Sequence, residues 1–476
     1  MSSKRNLITA ACIFIFGILL VLYLLTANNF SQFPENTDFY KFYKSARFFA
    51  EGKSIYTPVP FKPPDDYLGR LSEKAKATMK TSHPNLNSPF HTLFILPLGT
   101  LPFHIAFWLW SIFSLCLSLM AVGLIAYTQP FRDYEMLKSG FINQNKMVHT
   151  SISTIIKTGG NLGDNRIFSD KGLLDTQAIY VLILWIIILC YFPTWVSIVS
   201  GQFGLFLLGS IVLIWLSARK EKYQLAGIIL GIALSVKIFL GLFLIFFAVQ
   251  RRWRVLFWAV SIFIFCNIIS LITFGLSTYK QYLELLARSH LYINASWNAS
   301  FIAFFTRIFG GAENIPWIKL PLLAYCLAYS LSFLLTLLLI RTAWPQPREL
   351  SPLVRFDIGY ALTIVAMLLI SPFGWMYYFP ALIIPLLVIW HISSVLKAGN
   401  LYKSLLTGAW ILSCIPTQLI NSEETAINQP IVWFITSGYY FYALIIFCSL
   451  LLVISHRLSK ESKGDDLKQF NSLGNR

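Results

Sequence analysis

Asp38 is the residue of this chain best placed for acid–base chemistry, because it lies near the start of the first predicted outward loop and aromatic residues follow it. A carboxylate that neighbouring rings partly desolvate can take a proton from a hydroxyl group. The alternative is that Asp38 or Thr37 caps a helix, a role that Asp fills often and that involves no catalysis. The sequence therefore leaves two roles for Asp38, general base or helix cap.

A second group of residues is polar or aromatic. His83 lies near the end of the first loop, and the others lie beside predicted membrane-spanning segments, where such residues often form ligand sites. The group consists of His83, Gln202, Lys237, Asn298, Trp375, Tyr377 and Tyr378. Lys237 is the favoured phosphate ligand, because an ammonium near a low-dielectric boundary is stabilised by an anion. The alternative for the three aromatic residues is anchoring at the membrane interface. For His83 it is an inert loop position in solvent.

Neither a metal nor an organic cofactor is predicted. The chain has no convincing glycine-rich phosphate loop and no cluster with metal-ligand spacing. Its seven cysteines all lie inside apolar stretches, where cysteine behaves as a small buried hydrophobe. We therefore expect the site to work with side chains and substrate alone.

The composition shows what must position these residues. Apolar residues make up 56% of the chain and charged residues only 12%, against about 25% charged in an ordinary soluble domain. Lys and Arg outnumber Asp and Glu by 38 to 21, but most of the basic residues flank apolar runs, where they determine topology. The sequence thus predicts a multi-pass membrane protein and excludes a nucleic-acid partner.

The apolar runs predict an all-α bundle of about 10–13 transmembrane helices, since each span needs roughly 20 apolar residues. The first run follows Lys4 and Arg5 and has no small-residue cleavage site, so we interpret it as a retained anchor. Basic loops alternate with loops that lack Lys and Arg. This alternation predicts that both termini lie inside.

One run, 223–249, has basic clusters at both ends and so does not cross the membrane once. We predict a hairpin of two short helices that turn around Lys237 at the outward side. The alternative is a single long tilted helix in which Lys237 extends to the interface.

A single transmembrane domain is predicted over residues 1–458. Its first outward loop, 28–103, carries a short amphipathic helix and ends in a half-embedded segment, 93–102. The apolar face of the amphipathic helix is predicted to comprise Tyr40, Tyr43, Ala46, Phe49 and Ala50. The other predicted segments are a cytoplasmic insertion at 128–174, a second outward loop at 276–318 and a disordered tail at 459–476.

These features together resemble glycosyltransferase family 87, whose members are similar to polyprenol-phosphate-mannose-dependent mannosyltransferases of the GT-C membrane fold. The resemblance rests on order and spacing along most of the chain. It includes Asp38 before an aromatic helix, the Pro-rich stretch 83–102, the pair Gly201-Gln202, the stretch from Leu225 through Gly231 to Lys237, and the basic cluster 251–254.

The resemblance implies that Asp38 is a general base and that a hexose, in the first place mannose, moves with inversion from a polyprenyl-phosphate donor to a glycan or glycolipid acceptor. It also implies that the residues of the second group, from His83 to Tyr378, bind the donor phosphate or sugar. Membrane lipid is the surrounding partner, and the expected location is a bacterial inner membrane with the site facing outward. The chain departs from the family at Ala299 and at Tyr377 and Tyr378, where Gln and His are usual. The sugar and the phosphate contacts therefore stay open.

Two other functions fit the general layout. An O-antigen polymerase or ligase would use outward Arg and His residues, for which Arg288, His290 and Arg307 are candidates. A lipid or solute transporter would carry ionisable residues at mid-membrane and repeated halves, and the sequence shows neither clearly.

Overall fold

The computed structural model confirms the all-α class. It describes residues 2–59, 85–128, 130–131, 170–287, 293, 295–310, 316, 318–345, 352–394, 396, 399–416, 431–432, 435 and 438–473. Over these residues the backbone forms helices and their connections, with one isolated bridge between Asn298 and Trp375. His83 and most of the insertion at 128–174 lie outside the described residues.

The α-helices are, in chain order, α1 (Ser2–Ser31), α2 (Asp38–Ala50), α3 (Pro89–Ile95), α4 (Phe103–Thr128), α5 (Asp170–Leu189), α6 (Phe192–Val199), α7 (Gly204–Arg219), α8 (Tyr223–Val236), α9 (Leu242–Val249), α10 (Trp253–Phe274), α11 (Leu276–Ala287), α12 (Phe301–Phe309), α13 (Pro321–Ala343), α14 (Pro352–Ile370), α15 (Ile383–Ser393), α16 (Gly399–Cys414) and α17 (Tyr439–Leu473). Short 3-10 helices precede α2, α9 and α15 and follow α3. Helix α17 continues to Leu473, into the segment 459–476 that the sequence predicts to be disordered.

Seven helices of the described chain are long and apolar enough to cross a membrane, and the pair α5 and α6, bent by 66°, makes an eighth candidate. This number is below the predicted 10–13, because α7, α8 and the segment Ile238–Val249 are apolar but shorter. Most residues of α7 and of α14 are buried, so these helices form the centre of the bundle. Helices α1, α10 and α13 expose their apolar side chains and form its lipid-facing rim.

The predicted hairpin at 223–249 is confirmed. Helix α8 ends at Val236, Lys237 adopts an extended conformation, and a 3-10 turn leads into α9. The chain then returns to its starting side, since the Arg252 guanidinium donates to the Ala218 carbonyl at 2.7 Å and lies over the Tyr223 ring. A single long helix is thereby excluded.

Helix α8 packs closely against α10 through its glycines. A Cβ atom on Gly227 would lie 2.5 Å from the carbonyl oxygen of Val255, closer than real atoms approach. The small residue lets the two backbones meet, as small residues do at many membrane helix interfaces. This contact fixes the helix that ends beside Lys237.

Helix α2 forms as predicted, but the prediction of its buried face is wrong by part of a turn. The buried residues are Phe39, Phe42, Tyr43, Ser45 and Ala46, whereas Tyr40 and Phe49 are half-buried and Ala50 is exposed. The reason is that α2 packs on the bundle itself. The Phe39 ring contacts Phe107 and Trp110 of α4, and Phe42 contacts Phe203. A helix lying on lipid would present its apolar side to the membrane instead.

Candidate active site

A cavity with an empty volume of about 950 Å³, counting space open to solvent, lies where α2, the end of α8 and the stretch 373–378 meet. Its walls include Asp38, Lys41, Asn87, Gln202 and Lys237. The aromatic part of the wall comprises Phe42, Phe239, Tyr282, Trp297, Phe373, Trp375, Tyr377 and Tyr378. A mostly apolar cleft with a few convergent polar groups is typical of a small-molecule site.

Asp38 is the first residue of α2, and its carboxylate faces this cavity. Gln202 donates through Nε2 to Asp38 Oδ2 at 2.6 Å, and the Lys41 ammonium lies 2.6 Å from Oδ1. The residue at the N-cap position is Thr37, and its hydroxyl donates to the Pro34 carbonyl rather than capping α2. The helix-cap alternative for Asp38 is therefore wrong, because its side chain is directed into the cavity.

The turn Ser200–Gln202 positions the start of α2. The Phe39 amide donates to the Ser200 carbonyl at 2.9 Å, and the Trp110 indole donates to the Gly201 carbonyl at 2.9 Å. Gly201 has φ of +62°, and a Cβ there would lie 2.5 Å from the Cβ of Phe39. Only glycine allows both this backbone conformation and this close approach. The Gly-Gln pair thus places an amide donor beside Asp38.

Lys237 lies between α8 and the following 3-10 turn, at the cavity end of the hairpin and outside either helix. Its ammonium donates to Asn87 Oδ1 at 2.5 Å and lies 5.3 Å from the centre of the Tyr378 ring. Burial lowers the pKa of Lys237 to about 7, with the nearby charge of Lys41 adding to this shift and that of Asp38 partly opposing it. An anion in the cavity would favour the charged form.

These contacts were not apparent from the sequence, because Asn87 lies 150 positions from Lys237. Asn85 holds Asn87 in place by accepting from both its backbone amide and its side-chain amide. Asn85 in turn donates to Ser45 on α2 and to Thr92 on α3. A buried amide network therefore connects the helix that carries Asp38 to the residue that orients Lys237.

The model of glycosyltransferase family 87 matches residues 85–372, which is more than half of the chain. The chain belongs to glycosyltransferase family 87. No curated protein matches the chain significantly. The matched region of this family 87 protein contains Asn87, Gln202 and Lys237, whereas Asp38 lies before it and Trp375 after it.

The stretch after α14 gives the family 87 protein an aromatic wall. Phe373 lies in the turn after α14, Trp375 forms the isolated bridge and Tyr377 lies in the 3-10 helix that follows. Their rings stack in sequence at 6.4 and 6.0 Å. Trp375, Tyr377 and Tyr378 are nearly completely buried and line the cavity. They do not serve as interfacial anchors, which would expose their rings to the headgroup region.

Asn298 supports this wall instead of lining the cavity. Its side-chain amide donates to the carbonyls of Ile293 and Pro372 at 2.9 and 2.7 Å, and its Oδ1 accepts from the Ser300 amide. The backbone of Asn298 forms the bridge to Trp375. We therefore assign Asn298 a structural role, because its polar atoms bind the backbone on both sides of the wall.

Sequence reasoning missed two further polar residues of the site, Lys41 in the cavity wall and His91 behind that wall. His91 is completely buried between the rings of Phe42 and Phe203. Its ring nitrogens have no hydrogen-bond partner within the described part of the chain. Burial, with the charges of Lys237 and Lys41 adding to it, holds the pKa of His91 well below its usual value. Its ring is neutral and packs the back of the site.

Proposed function

We propose that this family 87 glycosyltransferase transfers a hexose, in the first place mannose, from a polyprenyl-phosphate donor to a glycan or glycolipid acceptor, with inversion at the anomeric carbon. The observation that carries this proposal is that a carboxylate, Asp38, and an ammonium, Lys237, line one cavity. Inverting transfer needs one group to accept a proton and another to stabilise the leaving phosphate.

In the proposed reaction, the acceptor hydroxyl donates its proton to Asp38 while its oxygen attacks the anomeric carbon. The bond from that carbon to the phosphate oxygen breaks on the opposite face, and the electron pair stays on the polyprenyl phosphate. Lys237 stabilises the charge that develops there. The attraction between a preorganised cation and the leaving phosphate grows as negative charge develops on that phosphate, and partial desolvation makes this attraction stronger. The sugar is already activated by its bond to the lipid phosphate, so the scheme uses no nucleotide, metal or organic cofactor.

The cavity wall is compatible with such a donor. Its stacked rings, Phe373, Trp375 and Tyr377, present flat apolar area beside Lys237 and Asp38. Phe239 follows Lys237 at the turn of the hairpin, and its ring lies 4.8 Å from that of Tyr378. In our proposal, the sugar contacts the stacked rings and the polyprenyl chain leaves beside the hairpin. The site faces the outside of a bacterial inner membrane.

The proposal is tested by transfer of a radiolabelled sugar from synthetic polyprenyl-phosphate donors to membrane acceptors by the purified full chain. We expect transfer from the β-linked mannose donor and an α-linked product, read by NMR of the anomeric proton. Retention of configuration would overturn the proposed single displacement. Transfer from a nucleotide sugar alone would overturn the donor class.

The polymerase or ligase alternative would use outward Arg and His pairs, for which Arg288, His290 and Arg307 were the candidates. Arg307 is 2% exposed and donates to the carbonyls of Ala295 and Asn298, so it stabilises the loop before α12. Arg288 and His290 lie outside the described residues. Nothing in the described site therefore favours that alternative over hexosyl transfer.

A further inference from the structure

A second lysine, Lys41, lies in the cavity wall beside the proposed base. It follows Asp38 by one turn of α2, and its ammonium lies 2.6 Å from Asp38 Oδ1. The Lys41 side chain is 12% exposed, whereas that of Lys53 in the loop after α2 is 60% exposed. Lys41 is therefore not an ordinary surface lysine, since long charged side chains are seldom this buried without a reason.

This ion pair weakens Asp38 as a base. The carboxylate accepts at Oδ1 from Lys41 and at Oδ2 from Gln202. An adjacent cation favours the ionised carboxylate and so opposes uptake of a proton. A proton acceptor that holds a cation this closely becomes effective only when the cation moves to another partner.

The charges around the cavity indicate what that partner is. Lys41 and Lys237 carry two positive charges against the single negative charge of Asp38, so the described wall has a net charge of +1 when all three are ionised. A phosphodiester donor carries one negative charge and brings the sum to zero. Two ammonium groups near each other in a partly desolvated site repel, and an anion between them relieves that repulsion.

We propose that Lys41 is a ligand of the donor phosphate, and that it releases Asp38 as a base when the donor binds. This inference rests on the proposed function. Lys41 has a flexible four-carbon stem on the first turn of α2, and its ammonium is a compact cation that can change partners without a change of backbone. Donor binding would thus precede productive acceptor binding.

The reaction keeps the charge of the site constant in this scheme. Before transfer, two ammonium groups balance the carboxylate and the singly charged phosphodiester. During transfer, the acceptor oxygen bonds to the anomeric carbon, its proton moves to Asp38, and the phosphate leaves with a second negative charge. Asp38 is then neutral, and the two lysines balance the doubly charged polyprenyl phosphate. Charge moves within the cavity, and the low-dielectric surroundings do not have to accommodate a new net charge.

The test measures equilibrium binding of a donor mimic that cannot react, the methyl phosphodiester of a short-chain polyprenol, to the full chain in detergent. The methyl ether of the same polyprenol is the uncharged control ligand. We expect Lys41→Met to weaken binding of the phosphodiester by about 10- to 100-fold, the range for loss of a charged hydrogen bond. Binding of the ether should not change. Lys44→Met is the matched control, because Lys44 lies on the same helix but does not line the cavity.

A double-mutant cycle separates release of Asp38 from simple phosphate binding. Asp38→Asn removes the competitor for Lys41, so it should tighten binding of the phosphodiester about tenfold in the wild-type background. In the Lys41→Met background the same change should give little gain. An equal gain in both backgrounds would show that Asp38 acts on the phosphate without Lys41 and would overturn the proposed exchange.

Lys41→Gln distinguishes a phosphate ligand from a residue that only positions Asp38, and it also serves if Lys41→Met does not fold. Glutamine keeps a donor for Asp38 Oδ1 but has no charge. Weak phosphodiester binding by this variant supports the proposal, and wild-type binding by it overturns the proposal.

Sugar transfer by the wild-type chain is measured in parallel. If the wild type neither transfers sugar nor binds the mimic, the proposed function fails as a whole; if it does both and the lysine variants bind normally, only the role of Lys41 fails.

Discussion

Two carboxylates of this protein have nearly the same kinds of partner but lie in different surroundings. Asp38 binds a lysine and a glutamine amide beside the cavity. Asp357, on α14, forms an ion pair with Arg219, and it accepts from the Trp215 indole at 2.8 Å. Arg219 ends α7, whose first residue, Gly204, lies two positions after Gln202, so the two clusters occupy opposite ends of one buried helix.

The difference between the clusters lies in access and in the type of cation. Asp357 is completely buried, and Arg219 also donates to the Pro130 carbonyl at 2.7 Å, which holds its planar guanidinium in place. Arginine presents a rigid fork of donors, whereas lysine presents a single mobile charge. The Asp357 cluster therefore stabilises the bundle, and the Asp38 cluster can exchange partners with a ligand.

The largest expected effect on activity comes from Asp38→Asn. Loss of a general base typically lowers the rate by about 100- to 10,000-fold. We expect sugar transfer to fall by that factor while the protein keeps its thermal unfolding midpoint. The control is Glu35→Gln, which neutralises an exposed carboxylate three positions earlier and should leave transfer unchanged. Undiminished transfer by Asp38→Asn would show that Asp38 is not the general base, and the Asp38 cluster would then have no catalytic role to set it apart from the Asp357 cluster.

The opposite result is expected for Asp357→Asn. This change leaves the buried Arg219 without its carboxylate, a loss that costs about 3–5 kcal/mol in buried pairs. We expect a clear fall in the thermal unfolding midpoint and in the yield of folded protein, with transfer per folded molecule nearly unchanged. Glu221→Gln is the control, since Glu221 is exposed at the same end of α7. A stable Asp357→Asn variant would contradict the structural role.

The pH dependence of donor binding reports on Lys237. The pKa of Lys237 is lowered to about 7 by burial, so the residue is charged below that pH and becomes neutral above it. The phosphodiester donor keeps one negative charge throughout. Donor affinity should therefore be highest below pH 7 and fall up to about tenfold per pH unit above it.

Lys237→Met should abolish this pH dependence and lower donor affinity below pH 7 by about 10- to 100-fold. Lys280→Met, at an exposed position on α11, is the control and should keep the wild-type profile. If donor affinity of the Lys237→Met variant fell with pH as steeply as that of the wild type, the titrating group would be a residue other than Lys237.

Gln202→Ala is expected to have the smallest effect. It removes one hydrogen bond to Asp38 Oδ2 but leaves the carboxylate and both lysines in place. We expect kcat to fall about tenfold with little change in the KM for the donor, because a bond to a charged group contributes about 1.5–3 kcal/mol. Gln224→Ala, at an exposed position at the start of α8, is the matched control. A rise in donor KM without a change in kcat would instead make Gln202 a donor ligand.

Much of the fold could be predicted because membrane helices depend on local patterns. Apolar length indicated the spans, and basic clusters on both sides of 223–249 indicated the hairpin around Lys237. The number of full-length spans was less predictable, since α7, α8 and the segment Ile238–Val249 are apolar but shorter than a full span. The buried face of α2 was also misplaced, because Tyr40 and Phe39 differ little in apolar character and only the contact with α4 selects between them.

The sequence by itself determined that this chain crosses a membrane, that a carboxylate opens the helix after the first span and that Lys237 lies at the turn of a hairpin. Residue type and spacing carry that information, since lipid requires long apolar helices and places charge at their ends. Only the tertiary structure decided which residues surround Asp38. Lys41, Gln202 and Asn87 meet at the cavity through packing between segments far apart in the chain. It also decided that Asp357 is completely buried and that Asp38 is accessible from the cavity, because burial depends on which helices cover a side chain.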